Sequence, residues 1–481
     1  MRVNSEAIQD IAVWHETMNS LNYRTLLLLR TKTPLVPLLT LIFVSACIHF
    51  IYYSLPLTVV LDEVYYGRFT MSYLKHEFFF DIHPPLAKLL LYGVAVLANL
   101  NPSFGFQENM QAFPDDSYLI LRLLPRLIGT LLPLVFYGIA RELGMSRVTA
   151  FWIAAIILLD NAFLVLSRFV LVDLFVLGFG FSGLWCYLRY RRTGSWLSLS
   201  AAALLTGAAL SSKWTGLSFV GIIGLLELVR ICASRDLRQS VRLLPIIVIP
   251  VLLYYLTFAA HFAITYRSGQ DDWVMSPGFQ ATLSGNPAAE AVQASTMGFF
   301  AKFNELNSLM LKTASTMSGE HSYNSEWFTW PLMLRGVDFW ANYTDTEKSH
   351  IYLLGNPLVW WVSTYAIALL LINFPPNLLQ AWAQRQPLNY AESFIILGWI
   401  ANMLPFILVS RGVFLYHYIP ALSFAILGLG LVIERLPGSR WIMLGLAILA
   451  TIGFVYFAPL SYGLLLPATE FDQRFWLESW R

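Results

Sequence analysis

The 481-residue sequence predicts an all-α, polytopic membrane protein with about eleven transmembrane helices. Three observations carry that expectation. Charged residues are only 12% of the chain and apolar ones 57%. Soluble domains carry about 25% charge, so these residues cannot clothe several soluble domains in a polar surface. The apolar residues fall in runs near the ~20 that a helix needs to cross a bilayer. Basic residues recur between those runs, as they do in short cytoplasmic loops. The net charge of +2 offers no surface for nucleic acid. Three cysteines exclude a disulfide-stapled scaffold, and the apolar content excludes disorder.

In chain order the runs are Leu35–Leu55, Tyr118–Ala140, Thr149–Leu166, Val170–Leu188, Trp196–Leu210, Thr215–Val229 and Leu243–Phe262. After a polar interval come Pro357–Phe374, Ser393–Val409, Tyr416–Ile433 and Trp441–Pro459. A shorter candidate, Leu86–Leu100, is settled by charge. Arg24, Arg30 and Lys32 share a side with Arg141, Arg147, Arg189, Arg191, Arg192, Arg230, Arg235, Arg238, Arg242, Arg435 and Arg440 only if two crossings separate Lys32 from Arg141. Leu35–Leu55 and Tyr118–Ala140 supply both, so Leu86–Leu100 is expected to lie along the outer interface.

Residues 1–34 are then cytoplasmic, and 35–264 form a membrane module with a first external loop at 52–117. Residues 265–355 are a second external loop, 356–460 the C-terminal helices and 461–481 an external tail. The first apolar run lies too far along the chain for a cleaved signal and is expected to be an anchor. No repeat, nucleotide-phosphate loop or metal-spaced His/Cys cluster is visible, so no metal or cofactor is expected.

The first external loop is the richest in chemistry. Asp62 and Glu63 stand together at the membrane face, followed by Asp81-Ile82-His83-Pro84-Pro85-Leu86-Ala87-Lys88 after the aromatic run Phe78–Phe80. Read singly, each residue has a plain role. Asp62 could cap a helix over 63–74, His83 could be a satisfied structural residue, and Lys88 could snorkel. Together they look like a site.

These residues resemble the signature of protein O-mannosyltransferases, polyprenyl-phosphate-sugar-dependent enzymes of the GT-C type. Ile82 and Ala87 are mild departures from the family's Val and Gly. Leu121-Arg122-Leu123, Ser167-Arg168 with Leu171-Val172-Asp173, and Ser212-Lys213-Trp214-Thr215-Gly216 are similar to further family segments. So are His321-Ser322-Tyr323-Asn324-Ser325 with Trp330-Pro331-Leu332, and Phe414-Leu415-Tyr416-His417-Tyr418. Eukaryotic members insert a β-trefoil MIR domain for which residues 265–355 are too few, so the resemblance is to a compact, prokaryotic-like member. The sequon Asn342-Tyr343-Thr344 is expected to carry no meaning here.

The resemblance implies an inverting transfer of mannose from a polyprenyl-phosphate donor to Ser or Thr of exported polypeptides, at the external face of the plasma (inner) membrane. Asp62 and Glu63 are the implied catalytic residues, Asp62 as base, with their roles exchangeable. His83, Lys88, Arg122, Arg168, Asp173, Lys213 and Arg411 are implied for the donor and its phosphate, Arg122 foremost. Arg126 is a further cation on that side, and Arg168 with Asp173 could instead be a structural ion pair. Phe78–Phe80 could line a lipid groove or simply pack. The expected partners are the lipid-linked sugar, polypeptide acceptors and membrane lipids; the oligomeric state is left open. Two other readings compete: a GT-C enzyme with a lipid or polysaccharide acceptor, and a transporter. A transporter is disfavoured by the lack of internal symmetry and by charges gathered at one face.

Overall fold

The computed structural model describes residues 35–288, 297–316, 322–344, 346–384, 388–409 and 411–481. Arg24, Arg30 and Lys32 within segment 1–34, and His321, lie outside them. Every one of the eleven apolar runs is helical. The helices are α1 (Leu35–Phe50), α2 (Glu63–Lys75), α3 (Leu86–Leu97), α4 (Leu119–Glu142), α5 (Arg147–Leu158), α6 (Asn161–Arg168), α7 (Asp173–Thr193), α8 (Trp196–Ser212) and α9 (Leu217–Ser234). They continue with α10 (Leu243–Ile264), α11 (Phe299–Thr316), α12 (Pro357–Ala383), α13 (Tyr390–Met403), α14 (Ile419–Glu434) and α15 (Ser439–Tyr462).

Among the described residues, 7 helices are long and apolar enough to span alone, and α5 with α6, bent by 57°, makes an eighth. The expected eleven therefore includes three that length and composition do not certify. α1 and α8 have 16 and 17 residues. α7 has 21, but begins on Asp173 and ends among Arg189, Arg191 and Arg192. The bend between α5 and α6 has a local cause. Buried Asp160 accepts the N–H groups of Ala162 and Phe163 at 3.0 and 3.4 Å, capping a new helix. It also accepts from the Asn356 amide (3.0 Å) and the Trp360 indole (2.8 Å), which satisfies the charge. α3 has 12 residues, about 18 Å of helix, too short for a ~30 Å core. It packs against α2, α4 and α8.

The fold is mostly helical as expected, with one small antiparallel sheet beside the helices. β1 (Val337–Tyr343) pairs with β2 (Glu347–Leu353), and β2 with β3 (Leu466–Pro467), so the second loop and the C-terminal tail form one unit. Buried and open positions alternate through much of β2, the period of a half-covered strand. The Trp340 indole donates to the Thr58 hydroxyl at 2.8 Å, tying the sheet to the first loop.

The aromatic run turns inward. Phe79 stacks on Phe69 with ring centres 4.5 Å apart, and Phe78 packs on Phe279. The N–H of Phe78 donates to the Arg267 carbonyl at 2.9 Å, joining the two loops. Gly269 is required at this join, because a Cβ there would lie 2.0 Å from the Phe78 carbonyl oxygen.

Candidate active site

Asp62 occupies the N-cap position of α2, yet its side chain makes no capping hydrogen bond. The capping role is therefore not the one it plays. Leu61 before it has φ 41°, a left-handed conformation uncommon for a branched residue, and its N–H donates to the Asn109 side-chain oxygen at 3.0 Å. The Asp62 carboxylate is half-buried, with no ion pair among the described residues. Burial, then repulsion from Asp173, pushes its carboxyl up to about 6, with Lys213 opposing and Asp81 adding to the rise.

The two neighbouring carboxylates are each paired. Asp81 holds Lys88, which also donates to the His83 carbonyl at 2.7 Å. Asp173 holds Lys213 at 2.8 Å, so the alternative of an Arg168–Asp173 ion pair gives way to this one. Lys213 is delivered by the turn Trp214-Thr215-Gly216 folding against the end of α8: a Cβ on Gly216 would lie 2.3 Å from the Ala209 backbone. Arg411 forms no ion pair among the described residues and faces Tyr416, His83 and His417. The His83 ring lies in the field of Lys213, Lys88 and Arg411, and burial foremost drives its pKa well below the usual imidazole range. That direction favours the neutral imidazole, a hydrogen-bonding group.

Glu63 is separated from this group although adjacent in sequence. It is fully buried and its four acceptor positions are filled. Oε1 accepts from Arg122 Nε (2.8 Å) and the Val170 amide (3.1 Å), Oε2 from Arg122 Nη2 (2.6 Å) and the Val60 amide (3.0 Å). Arg122 spends its other donors on the carbonyls of Pro56 (2.9 Å) and Thr58 (3.1 Å) and packs against Phe113, Tyr118 and Phe169.

Arg126 donates to the His49 and Tyr53 carbonyls at 2.6 and 3.1 Å. Arg168 donates to Leu55 at 2.9 Å, Tyr52 at 3.3 Å and Ser461. All three arginines are fully buried. They grip the chain where it leaves α1, and so hold the loop that presents Asp62. The phosphate role that sequence resemblance implies for Arg122 and Arg168 thus falls on side chains already engaged with backbone. Of the remaining cations Lys213, paired with Asp173, acts on Asp62 directly, while Lys88 and Arg411 act on the neighbouring His83.

A cavity of about 390 Å³ opens next to these groups. Asp173 and His417 stand in its wall with Trp214, Ser218, Asn402 and Phe406, and most of the remaining lining is aliphatic. The Ser218 hydroxyl lies 2.8 Å from Asn402 Oδ1, to which it donates, so these polar groups satisfy each other. Phe78–Phe80 take no part in this lining. Tyr416, Asn402 and Ser218 went unpredicted as wall residues, since only the Phe414–Tyr418 resemblance touched any of them. Among the described residues, no three His, Cys, Asp or Glu side chains are placed to hold a metal ion.

The described residues thus form a multi-helix membrane protein in which carboxylates and cations gather beside an apolar cavity. Two family models match it in succession. One, "Dolichyl-phosphate-mannose-protein mannosyltransferase", covers residues 39–266, and the other, "C-terminal four TMM region of protein-O-mannosyltransferase", covers residues 299–480. The chain belongs to the protein O-mannosyltransferase family. It is 29% identical over 326 residues to dolichyl-phosphate-mannose–protein mannosyltransferase 3 of Saccharomyces cerevisiae, covering 61% of this chain and 42% of that one. Protein O-mannosyltransferase 1 of Drosophila pseudoobscura pseudoobscura is 34% identical over 266 residues, covering 52% of this chain and 29% of that one. The chain thus spans less than half the length of these curated relatives. Its fold matches the S. cerevisiae protein O-mannosyltransferase Pmt1-Pmt2 complex bound to the sugar donor, with a TM-score of 0.85, 20% identity and 94% of each chain covered.

Proposed function

We propose that this protein transfers mannose from a polyprenyl-phosphate mannose to Ser or Thr hydroxyls of polypeptides, at the face from which the Arg-rich loops are absent. The observation that carries the reading is the state of Asp62: among the described residues it is one carboxylate without an ion pair, beside two that have theirs. The acceptor hydroxyl loses its proton to Asp62 as its oxygen attacks the anomeric carbon. The carbon–oxygen bond to the lipid phosphate breaks in the same step, so configuration inverts and a β-linked donor gives an α-linked product. The leaving phosphate is already an anion and needs no acid. Lys213 and Arg411 supply the positive charge that stabilises it, and the apolar cavity takes the first part of the isoprenoid tail. Glu63 and Arg122 position the loop.

The direct test uses membranes containing the protein, radiolabelled polyprenyl-phosphate mannose and a Ser/Thr-rich peptide. Label on the peptide is expected; label only on lipid would overturn the acceptor assignment.

Two further outcomes follow. Deprotonated Asp62 is the active form, so kcat/KM should fall tenfold per pH unit below about 6. An acid limb absent down to pH 4.5 would remove Asp62 as the base. Val409→Trp, in the cavity wall, should raise KM severalfold for a long-chain donor and leave a donor with a truncated tail little changed. Equal effects on both donors would place the tail elsewhere.

A further inference from the structure

At the opposite end of the helices from Asp62 lies a polar cluster that the transfer reaction does not use. α7 begins on Asp173 and α9 just beyond Lys213, while their far ends carry Arg191 and Arg230, about 25 Å away along α9 at 1.5 Å per residue. Between them Glu227 is fully buried, accepting from the Tyr187 hydroxyl at 2.9 Å and from Arg230 at 3.4 Å. Tyr390, the first residue of α13, brings in a hydroxyl that is buried without a partner of hydrogen-bonding geometry among the described residues. It sits beside Tyr187, whose own proton is committed to Glu227. Arg191 lies over the Tyr390 ring at 4.7 Å and Arg230 over the Tyr190 ring at 6.0 Å. Arg242, at the start of α10, completes the group near Tyr190.

The donors here outnumber the acceptors. A guanidinium has five N–H groups, yet among the described residues the hydrogen bonds of Arg191 to Tyr187 and of Arg230 to Glu227 are both long, at 3.4 Å. Arg191 and Arg230 stand by one carboxylate, Glu227, which lies beneath the partly exposed Arg230 and whose Oε2 is buried without a hydrogen-bond partner among the described residues. The adjoining surface is apolar and open: Leu225, Leu228, Leu244 and Ile247 are each at least 45% exposed. A basic pocket between helix ends beside an apolar face is the chemistry that receives an anionic lipid headgroup.

We propose that this cluster binds the phosphate of an anionic phospholipid in the leaflet opposite the catalytic face. Arg191, Arg230 and Arg242 contact its oxygens, the Tyr390 hydroxyl donates to it, and the acyl chains lie along Leu225, Leu228, Leu244 and Ile247.

The experiment compares melting temperatures of the delipidated, detergent-purified protein after adding phosphatidylglycerol, phosphatidylcholine or inorganic phosphate. Phosphatidylglycerol alone should raise the melting temperature by several degrees. Tyr390→Phe should abolish most of that increment while leaving the lipid-free melting temperature equal or higher, because it removes an unsatisfied buried hydroxyl. Arg230→Gln should weaken phosphatidylglycerol binding about tenfold, whereas Lys348→Gln, in strand β2, should leave it unchanged. Equal shifts with phosphatidylcholine, an equal shift with inorganic phosphate alone, or a full increment retained by Tyr390→Phe would each overturn the proposal.

Discussion

Asp62→Asn should lower mannosyl transfer by about 10²–10⁴-fold, the usual contribution of a positioned general base, while the protein folds as well as before or better. The substitution keeps the shape of the side chain and breaks no capping bond or ion pair, because the native carboxylate makes neither. Its effect on stability has a definite sign. The folded-state carboxyl titrates near 6, above the usual aspartate value. The folded state therefore holds a proton that the unfolded chain has lost between roughly pH 4 and 6, and stability falls as pH rises through that window. At pH 7 the charged, half-buried Asp62 is a net cost, and Asn relieves about 1–3 kcal/mol of it. Activity in membranes and thermal melting in detergent read the two effects separately. A variant that is both inactive and less stable would indicate that Asp62 holds the loop and does not take the proton.

Glu63→Ala should behave in the opposite way, destabilising the protein by about 3–5 kcal/mol, the range for removing one partner of a buried ion pair. Four donors lose their acceptor at once: two from Arg122 and the amides of Val60 and Val170. Arg122 is left buried and charged with only the carbonyls of Pro56 and Thr58. Activity then falls because the loop is misplaced. Since both side chains serve one interaction, Glu63→Ala and Arg122→Ala should be strongly non-additive, and the double variant should be little worse than either single one. Yield and melting temperature check this. Full stability with lost turnover in Glu63→Ala would return Glu63 to the chemistry.

Adjacent residues thus take unlike roles, and the cause is geometric. Asp62 is the last residue before α2 and Glu63 the first within it. At that corner successive side chains diverge, one toward the cleft shared with Asp173 and Lys213, the other back under the loop. Nothing in the pair Asp-Glu states which is which. Arg122, Arg126 and Arg168 illustrate the same limit. A sequence shows that an arginine stands near a helix end, but its partners here are mostly backbone carbonyls from distant positions, and carbonyls have no sequence signature. The third strand has no sequence signature, because β3 is two residues long and pairs with a strand more than 100 residues earlier. The cap that Asp160 makes at the break is local, but the partners that satisfy its other oxygen, Asn356 and Trp360, are remote in sequence.

What the amino-acid order determined alone is what depends on local composition. A chain with 12% charge must bury itself in a bilayer. Apolar runs of about 20 residues become helices there because the membrane offers backbone groups no other partner. Arg and Lys between the runs mark one side, and scarce charges on the other side mark a site. The tertiary structure decided which of those charges are free. Ion pairs and backbone bonds join Glu63 to Arg122, Asp81 to Lys88 and Asp173 to Lys213 across as many as 59 positions. Only packing, which sets what lies within about 3 Å of each buried charge, leaves the carboxylate of Asp62 without a cation.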